Sequence, residues 1–146
     1  MKIKRATTEV LPELTELAVL LFKRHTFEEL LKENELIMQD PSQIFFLAVH
    51  DGTPVGFTHC AIRTDYVEGT NGGNIGYLEG IFVLPEHRKK GIARKLLLAC
   101  EHWAREKGCL MFASDCEFHN EDSYHFHLAV GFHEANRIIC FTKKID

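Results

Sequence analysis

The stretch from Val83 to Arg94 combines residue types that bind anions. An apolar strand is predicted to end near Val83, three consecutive basic residues follow at 88–90, and a helix begins at about Gly91. The first N–H groups of a helix have no intrahelical partner and form the positive end of its dipole, so they bind phosphate groups. Gly91 has no Cβ to obstruct a ligand, and the small side chain of Ala93 keeps the first turn accessible. The segment predicts a phosphate site, with a solvated charge run as the alternative; its spacing matches neither a P-loop nor a dinucleotide fingerprint.

Two carboxylates are predicted to lie beside that site. Glu79 stands in an otherwise apolar strand, two residues before Ile81, and Asp115 follows the next predicted parallel strand. Ligands of α/β sheets bind at the carboxyl ends of the strands, so these side chains would form a pocket for a cation. A carboxylate there can attract an ammonium group, whose pKa is about 10.4 in lysine, and accept its proton directly or through water. The alternatives are an exposed edge position for Glu79 and a helix or turn cap for Asp115.

A histidine is a further candidate for proton transfer. His127 lies in a predicted helix, and an imidazole with a pKa of about 6.5 can donate or accept a proton near neutral pH. A packed helix histidine is the alternative. His119 and His125 lie nearby, but helical residues two apart point in different directions, so no metal site is expected. Cys116 is flanked by two acids, which disfavour its thiolate and therefore a role as nucleophile.

The elements that position these residues follow from hydrophobic periodicity and from chain breakers. The predicted helices span residues 10–22, 27–38, 91–107 and 120–130, and the third has the clearest apolar stripe. The predicted strands span residues 3–6, 44–49, 55–62, 77–83, 109–114 and 138–142, with Asp51-Gly52 as a hairpin turn and 63–74 as an exposed loop. Antiparallel hairpins in the first half, and alternating helices and strands in the second, predict a mixed α/β sheet.

Length and composition indicate one domain and exclude several classes of protein. The chain has 146 residues, a formal net charge of -4 and 45% hydrophobic residues, which fits a single domain over residues 1–146. The acidic balance gives no reason to expect nucleic acid binding, and no apolar run is long enough to cross a membrane. No signal peptide is expected, and five widely spaced cysteines favour the cytoplasm. All of them except Cys116 are expected to be buried.

Two motifs resemble those of the Gcn5-related N-acetyltransferases. Arg88-x-x-Gly91-x-Ala93 after a strand is similar to their acetyl-CoA signature, and Asn120-x-x-Ser123-x-x-x-His127-x-x-x-Gly131-Phe132 is similar to their later helix and strand motif. The similarity extends through nearly the whole chain to the aminoglycoside 6'-N-acetyltransferases, in Tyr66 before a glycine-rich loop and in the segments 78–85, 112–115 and 141–144. The resemblance implies a mixed α/β fold whose central sheet has about six to seven strands and is flanked by about four helices.

The resemblance also implies which residues bind acetyl-CoA and its acceptor. Acetyl-CoA would contact a strand edge and the segment that follows it: Ile81, Phe82, Val83, Arg88, Lys89, Lys90, Gly91, Ile92, Ala93 and Arg94, together with Asn120. The aminoglycoside would contact Phe22, His25, Tyr66, Glu79, Asp115 and Asn136. The subfamily can have tryptophan at the position of Phe22 and an acid at that of Asn136. The wider family often has, at the position of His127, a tyrosine that is the usual candidate for protonating the departing thiolate. A homodimer is implied.

Three functions remain open at this point. The first is an acetyl-CoA-dependent transferase for the 6'-amine of aminoglycosides, hence antibiotic resistance, by direct attack in a ternary complex with Glu79, Asp115 and His127 as catalytic residues. The second keeps the transferase but acetylates a polyamine or a protein amine, because Asn136 is not an acid. The third is a non-catalytic acetyl-CoA sensor. Acids in the segments that flank the site would attract a polycation, with solvated loops as the alternative: Asp65, Glu68, Asp115, Glu117, Glu121 and Asp122.

Overall fold

The computed structural model describes residues 1–146 and contains one mixed sheet and four α-helices. The strands are β1 (Lys2–Arg5), β2 (Gln43–His50), β3 (Thr53–Arg63), β4 (Ile75–Val83) and β5 (Met111–Ala113). The helices are α1 (Leu11–Leu21), α2 (Phe27–Gln39), α3 (Ile92–Glu106) and α4 (Glu121–Ala129). Short 3-10 turns at Thr8–Val10 and Pro85–His87 precede α1 and α3. The predicted mixed α/β class and the four helices are confirmed.

The strands lie in the sheet in chain order, from β1 to β5. Strands β1 to β4 pair antiparallel, whereas β4 and β5 pair parallel, with α3 as the connection between them. Asp51 and Gly52 form the turn between β2 and β3 with φ values of 48° and 77°, as an Asp-Gly hairpin requires. The expected antiparallel first half and parallel second half are therefore confirmed.

The sheet has five strands, fewer than the resemblance implies. The strand predicted at 138–142 is wrong, because these residues pair with no strand and every residue from His133 to Asp146 is exposed. Phe132 is the last residue at this end that is partly buried, with its ring centroid 6.2 Å from that of Phe112. The strand predicted at 109–114 is shorter than expected, because its partner β4 pairs with it only over Ile75–Tyr77.

Alternating side chains of β2 divide the core between the two faces of the sheet. Phe45 and Leu47 point to the face covered by α1 and α2, where they join Leu14, Leu17, Ala18, Leu30, Ile37 and Phe57. Ile44 and Ala48 point to the other face, where buried residues of α3 cover them: Ile92, Leu96, Cys100, Trp103 and Ala104. The two-residue period of a strand produces this division. The predicted apolar stripe of α3 is confirmed.

β4 and β5 diverge after a short parallel ladder. The ladder joins Ile75–Tyr77 to Met111–Ala113. A Cβ on Gly76 would lie 2.7 Å from Cδ2 of Phe112, so glycine lets the two strands pack closely here. Beyond the ladder, residues 78–83 of β4 have no strand partner on the β5 side. The fold therefore opens a gap between the carboxyl ends of two parallel strands, where ligands of α/β sheets bind.

The cysteines are all unpaired, and three of them lie in the core. Cys60, Cys100 and Cys109 are buried as expected, and the hydrogen bond with Cys100 together with burial raises the pKa of the Cys60 thiol well above its ordinary value. Cys116 is exposed, as expected. Cys140 is exposed, contrary to expectation, because it lies in the exposed segment that begins at His133. No helix combines the length and hydrophobicity that crossing a bilayer requires.

Candidate active site

Six main-chain N–H groups without a partner run from Lys89 to Arg94. None of them has an acceptor in the protein, because the hydrogen bonds of α3 begin with the Lys95 N–H and the Gly91 carbonyl. Lys89 and Gly91 have φ values of 63° and 79°, and left-handed residues in alternation with right-handed ones turn successive N–H groups into a concave anion site. Strain at a residue such as Lys89 is typical of functional sites. We call residues 89–94 the anion cradle.

The basic side chains around the anion cradle are used in two ways. Lys89–Lys90 are exposed and form no ion pair, so they are free to contact an anion. Arg88 instead donates from Nε to the Val83 carbonyl at 2.7 Å, which closes the loop between β4 and α3. Arg94 donates from Nη2 to the Ala129 carbonyl at 2.8 Å, which ties α3 to the end of α4. The two arginines thus shape the loop and its neighbour while adding positive charge to the site.

The unpaired edge of β4 adjoins the anion cradle. Ile81 and Phe82 are half-buried and Val83 is buried, so their backbones are held in place beside the gap. An extended ligand can add to such an edge as a further strand would. Asn120 is the N-cap of α4, where its side-chain oxygen accepts a hydrogen bond from the Ser123 N–H at 3.1 Å. Its amide nitrogen is therefore the atom left for a cofactor contact.

The side chains of Ile92 and Ala93 differ from those of their neighbours in the anion cradle. Ile92 is buried in the core and Ala93 is half-buried against it. Both can therefore offer only their backbone N–H groups to an anion. This is the role that a helix N-terminus has in phosphate binding.

Glu79 and Asp115 lie in one polar cluster with Arg63 and Tyr77. Glu79 accepts two hydrogen bonds from Nη2 of Arg63, one of them 2.9 Å long. Tyr77 donates its hydroxyl hydrogen to Oδ2 of Asp115. The Arg63 guanidinium lies 3.4 Å from the centroid of the Tyr77 ring, which joins the two pairs through a cation–π contact. Two carboxylates and one guanidinium leave the cluster with a net single negative charge.

Burial and hydrogen bonding set the protonation of this cluster. Burial and the hydrogen bond to Asp115 raise the pKa of Tyr77, so the phenol remains a donor at neutral pH. Burial disfavours the charge of Arg63, but its hydrogen bonds and ion pair with Glu79 raise its pKa overall. Arg63 already donates two hydrogen bonds to Glu79. An amine can therefore reach this carboxylate only where Arg63 shares or releases it.

Phe22 lies over the strand that carries Glu79, whereas His25 has a different partner. A Cβ on Gly80 would lie 3.1 Å from Cζ of Phe22, so glycine leaves the room that the ring occupies. Nδ1 of His25 lies 3.3 Å from Oε2 of Glu29 on α2, and both side chains are more than half exposed. The structure places Phe22 next to the cluster and shows no bond between His25 and the other predicted substrate residues.

Tyr66 and Asn136 are brought together by a third acid. The Tyr66 hydroxyl donates to Oε2 of Glu68 at 3.3 Å, and Nδ2 of Asn136 donates to its Oε1 at 2.5 Å. The loop that carries Glu68 passes close to the last residues of the chain, since a Cβ on Gly69 would lie 2.5 Å from Cβ of Ala135. Glu68 therefore supplies a negative charge beside the position where Asn136 has none.

His127 lies between two serines where β4 and β5 diverge. Its Nδ1 is 2.6 Å from the Ser123 carbonyl oxygen, and its Nε2 is 2.7 Å from Oγ of Ser114. Oγ of Ser114 is also 3.5 Å from the Leu78 carbonyl on β4. The ring is half-buried and its centroid lies 5.0 Å from that of Phe132. No three His, Cys, Asp or Glu side chains lie close enough together to hold a metal ion.

Three residues of the site escaped the sequence analysis. They are Arg63, Tyr77 and Ser114. Tyr77 precedes Glu79 by two residues and so shares its strand face, which is a usable signal. Ser114 directly precedes Asp115, but its hydrogen bond to His127 depends on where α4 packs. Arg63 reaches the cluster because the end of β3 pairs with the start of β4, with Arg63 opposite Ile75.

Comparison with known proteins identifies relatives over most of the chain. The model of the acetyltransferase (GNAT) family matches residues 9–132. An aminoglycoside N(6')-acetyltransferase type 1 from Salmonella typhimurium is 39% identical over 124 residues, which are 85% of this chain and 86% of that protein. A protein with the same name from Acinetobacter haemolyticus is 35% identical over 146 residues, which cover 100% of both.

A solved structure is similar over nearly the whole chain. It is the structure of AAC(6')-Iy in complex with the bisubstrate analogue CoA-S-monomethyl-acetylneamine, with a TM-score of 0.95 and 35% identity. The match covers 99% of this chain and 98% of that one. The similarity therefore includes the segment after His133 as well as the sheet and helices.

Proposed function

Because the chain belongs to the acetyltransferase (GNAT) family, we propose that it transfers the acetyl group of acetyl-CoA to the 6'-amine of an aminoglycoside. One observation carries this proposal. The open edge of β4 connects the anion cradle to the cluster that contains two carboxylates, Glu79 and Asp115. If the diphosphate of acetyl-CoA binds to the cradle, its extended arm can lie along β4. The thioester at the end of that arm would then lie beside an acidic cluster that attracts a cation. The names of the relatives and the analogue bound by AAC(6')-Iy support the aminoglycoside as acceptor.

The carboxylates are proposed to bind the acceptor and remove its first proton. An aliphatic ammonium is protonated at neutral pH, and acetyl transfer requires the neutral amine. Glu79 lies on β4 just beyond the parallel ladder, Asp115 follows the end of β5, and Glu68 adds charge near Asn136. We propose direct attack of the neutral amine on the thioester within a ternary complex. Positioning of the two substrates would supply most of the acceleration.

The acceptor can be assigned by comparing matched amines. Release of free thiol from acetyl-CoA would be measured with two aminoglycosides that differ only in an amine or a hydroxyl at the 6' position. We expect turnover of the first and none of the second. Turnover of spermidine or of a lysine peptide, without turnover of any aminoglycoside, would contradict the acceptor and favour the second hypothesis. Tight acetyl-CoA binding without any transfer would favour the sensor.

The protein is proposed to form a homodimer through its last residues. We call residues 133–146 the C-terminal segment. Its apolar side chains are 65–89% exposed: Ile138, Ile139, Phe141 and Ile145. Exposed apolar residues of this density mark interfaces. The path of the segment is shared with a solved structure over 99% of this chain. Apolar side chains this exposed need a surface to cover them, so we propose that the segment adds to the β5 edge of a second copy.

The dimer proposal is tested by light scattering. Each chain has a mass of 16.8 kDa, and we expect the wild type to have twice that mass. The variant Ile139→Asp/Phe141→Asp should have the mass of one chain, whereas Leu36→Asp, which replaces an exposed residue of α2, should remain dimeric. A wild type of 16.8 kDa at micromolar concentration would contradict the dimer.

Because acetyl-CoA is a cytosolic metabolite and all five cysteines are unpaired, we also propose a cytoplasmic location.

A further inference from the structure

The two ring nitrogens of His127 have different partners, and these fix its tautomer. A backbone carbonyl can only accept a hydrogen bond, so Nδ1, which lies 2.6 Å from the Ser123 carbonyl oxygen, carries the proton. In the neutral ring Nε2 is then unprotonated. The bond of 2.7 Å between Nε2 and Oγ of Ser114 must therefore be donated by the Ser114 hydroxyl. His127 presents a proton acceptor to Ser114, and it cannot act as an acid in this state.

Ser114 occupies the point where the reacting atoms of the proposed transfer would meet. It is the first residue after β5, at the end of the parallel ladder. Its Oγ lies 3.5 Å from the Leu78 carbonyl, and Leu78 immediately precedes Glu79 on β4. The ring of His127 lies behind it, packed against Phe132 at 5.0 Å. The hydroxyl therefore lies between the two strands, in contact with β4 on one side and with the imidazole of His127 on another.

We propose that Ser114 is a catalytic residue that passes a proton from the attacking nitrogen to the departing sulfur, with His127 as its partner. This inference rests on the proposed acetyl transfer. As the C–N bond forms, the nitrogen loses a proton to Oγ of Ser114, which gives its own to Nε2 of His127. As the C–S bond breaks, the sulfur takes the hydroxyl proton, and Oγ recovers one from Nε2. The N–H bond is exchanged for an S–H bond, and both side chains return to their initial state.

The kinetic test separates this role from a merely structural one. Ser114→Ala should lower kcat at least about tenfold, since general acid–base catalysis contributes about 10²–10⁴-fold, while KM for the amine and for acetyl-CoA stays within about twofold. Ser114→Thr, which keeps the hydroxyl, should restore most of the rate. Ser123→Ala should lower kcat much less than Ser114→Ala, because the backbone carbonyl at 2.6 Å still holds Nδ1 when the contact of Ser123 Oγ at 3.3 Å is lost. Equal kcat values for Ser114→Ala and the wild type would overturn the proposal.

A double variant tests whether the two residues act together. His127→Gln cannot carry a proton, so adding Ser114→Ala to it should lower kcat no further. Losses that multiply would show two independent roles and would refute the relay.

The tautomer of His127 can be measured in the absence of an amine substrate. Imidazole ¹⁵N chemical shifts of the wild type in complex with CoA should show protonated Nδ1 and unprotonated Nε2 for His127, and Ser114→Ala should shift the Nε2 signal. A protonated Nε2 in the neutral wild-type ring would refute the arrangement. This measurement also separates the relay from the proposed acceptor. If the protein acetylates no aminoglycoside, the acceptor is wrong, but the ¹⁵N shifts still show whether His127 has the tautomer that the relay requires.

Discussion

Replacing Gly91 by alanine should weaken CoA binding, and a second glycine of the same helix provides the control. Gly91 and Gly108 flank α3 at its two ends, with φ values of 79° and 88°. A Cβ on either of them would meet no atom within 4 Å. The two substitutions therefore impose the same backbone strain, on the order of 1–2 kcal/mol, and no steric clash. α3 has 15 residues, so its whole length of about 22 Å lies between the two positions.

The two variants should be alike in stability and different in binding. At about 2–4 °C per kcal/mol for a chain of this size, each should lower Tm by a few degrees. Only Gly91→Ala adds a methyl group and disturbs the N–H directions at the anion cradle. We therefore expect it to lower the affinity for CoA at least about tenfold, or about 1.4 kcal/mol, whereas Gly108→Ala should bind as the wild type does.

Differential scanning calorimetry measures the first quantity and titration calorimetry with CoA the second. If both variants lose stability equally but bind CoA equally well, the row of unpaired N–H groups does not hold the diphosphate. If Gly108→Ala loses affinity as much as Gly91→Ala, the effect comes from a loosened helix. Either result would refute the reasoning on the cradle.

Three further predictions concern the acidic cluster, the sheet and acid stability. Glu79→Gln should raise KM for a polycationic amine at least about tenfold without changing CoA affinity, because it removes the carboxylate paired with Arg63 and makes the cluster neutral; steady-state kinetics at two salt concentrations would show whether charge is responsible. Gly76→Ala should destabilise the fold by about 1–3 kcal/mol in urea unfolding, since its Cβ would lie 2.7 Å from Phe112; an unchanged midpoint would contradict the close packing. Burial lowers the pKa of His59 to about 4, so its neutral ring favours folding above about pH 6.5 and that contribution is lost as the pH falls toward 4. Relative to His59→Gln, the wild type should lose about 2 kcal/mol of unfolding free energy between pH 7 and pH 5, and parallel pH profiles would refute this.

The features that depend on local sequence were predictable. The position of α3 and the glycine before it follow from an apolar stripe and a breaker within about 20 residues. Glu79 and Asp115 could be expected near each other, because parallel strands end at one edge of a sheet. The family resemblance named the same residues by their motif.

The features that depend on distant pairing were not predictable. Arg63 meets Glu79 through the register of β3 and β4, which shifts at an irregularity between His59 and Cys60. Periodicity does not reveal such a shift, and a shift by one residue moves a side chain to the other face. The strand predicted at 138–142 is wrong for a related reason: its apolar pattern is typical of a strand but does not reveal whether another strand lies beside it.

A ligand ammonium group that binds to Glu79 must compete with the guanidinium of Arg63. Arg63 is tethered to the fold, so its effective concentration at the carboxylate is high, and a ligand with a single charge gains little by exchange. A ligand with several ammonium groups can contact Asp115 as well, and we expect the additional contact to offset the lost pair. We therefore expect the cluster to favour amines with several charges over amines with one.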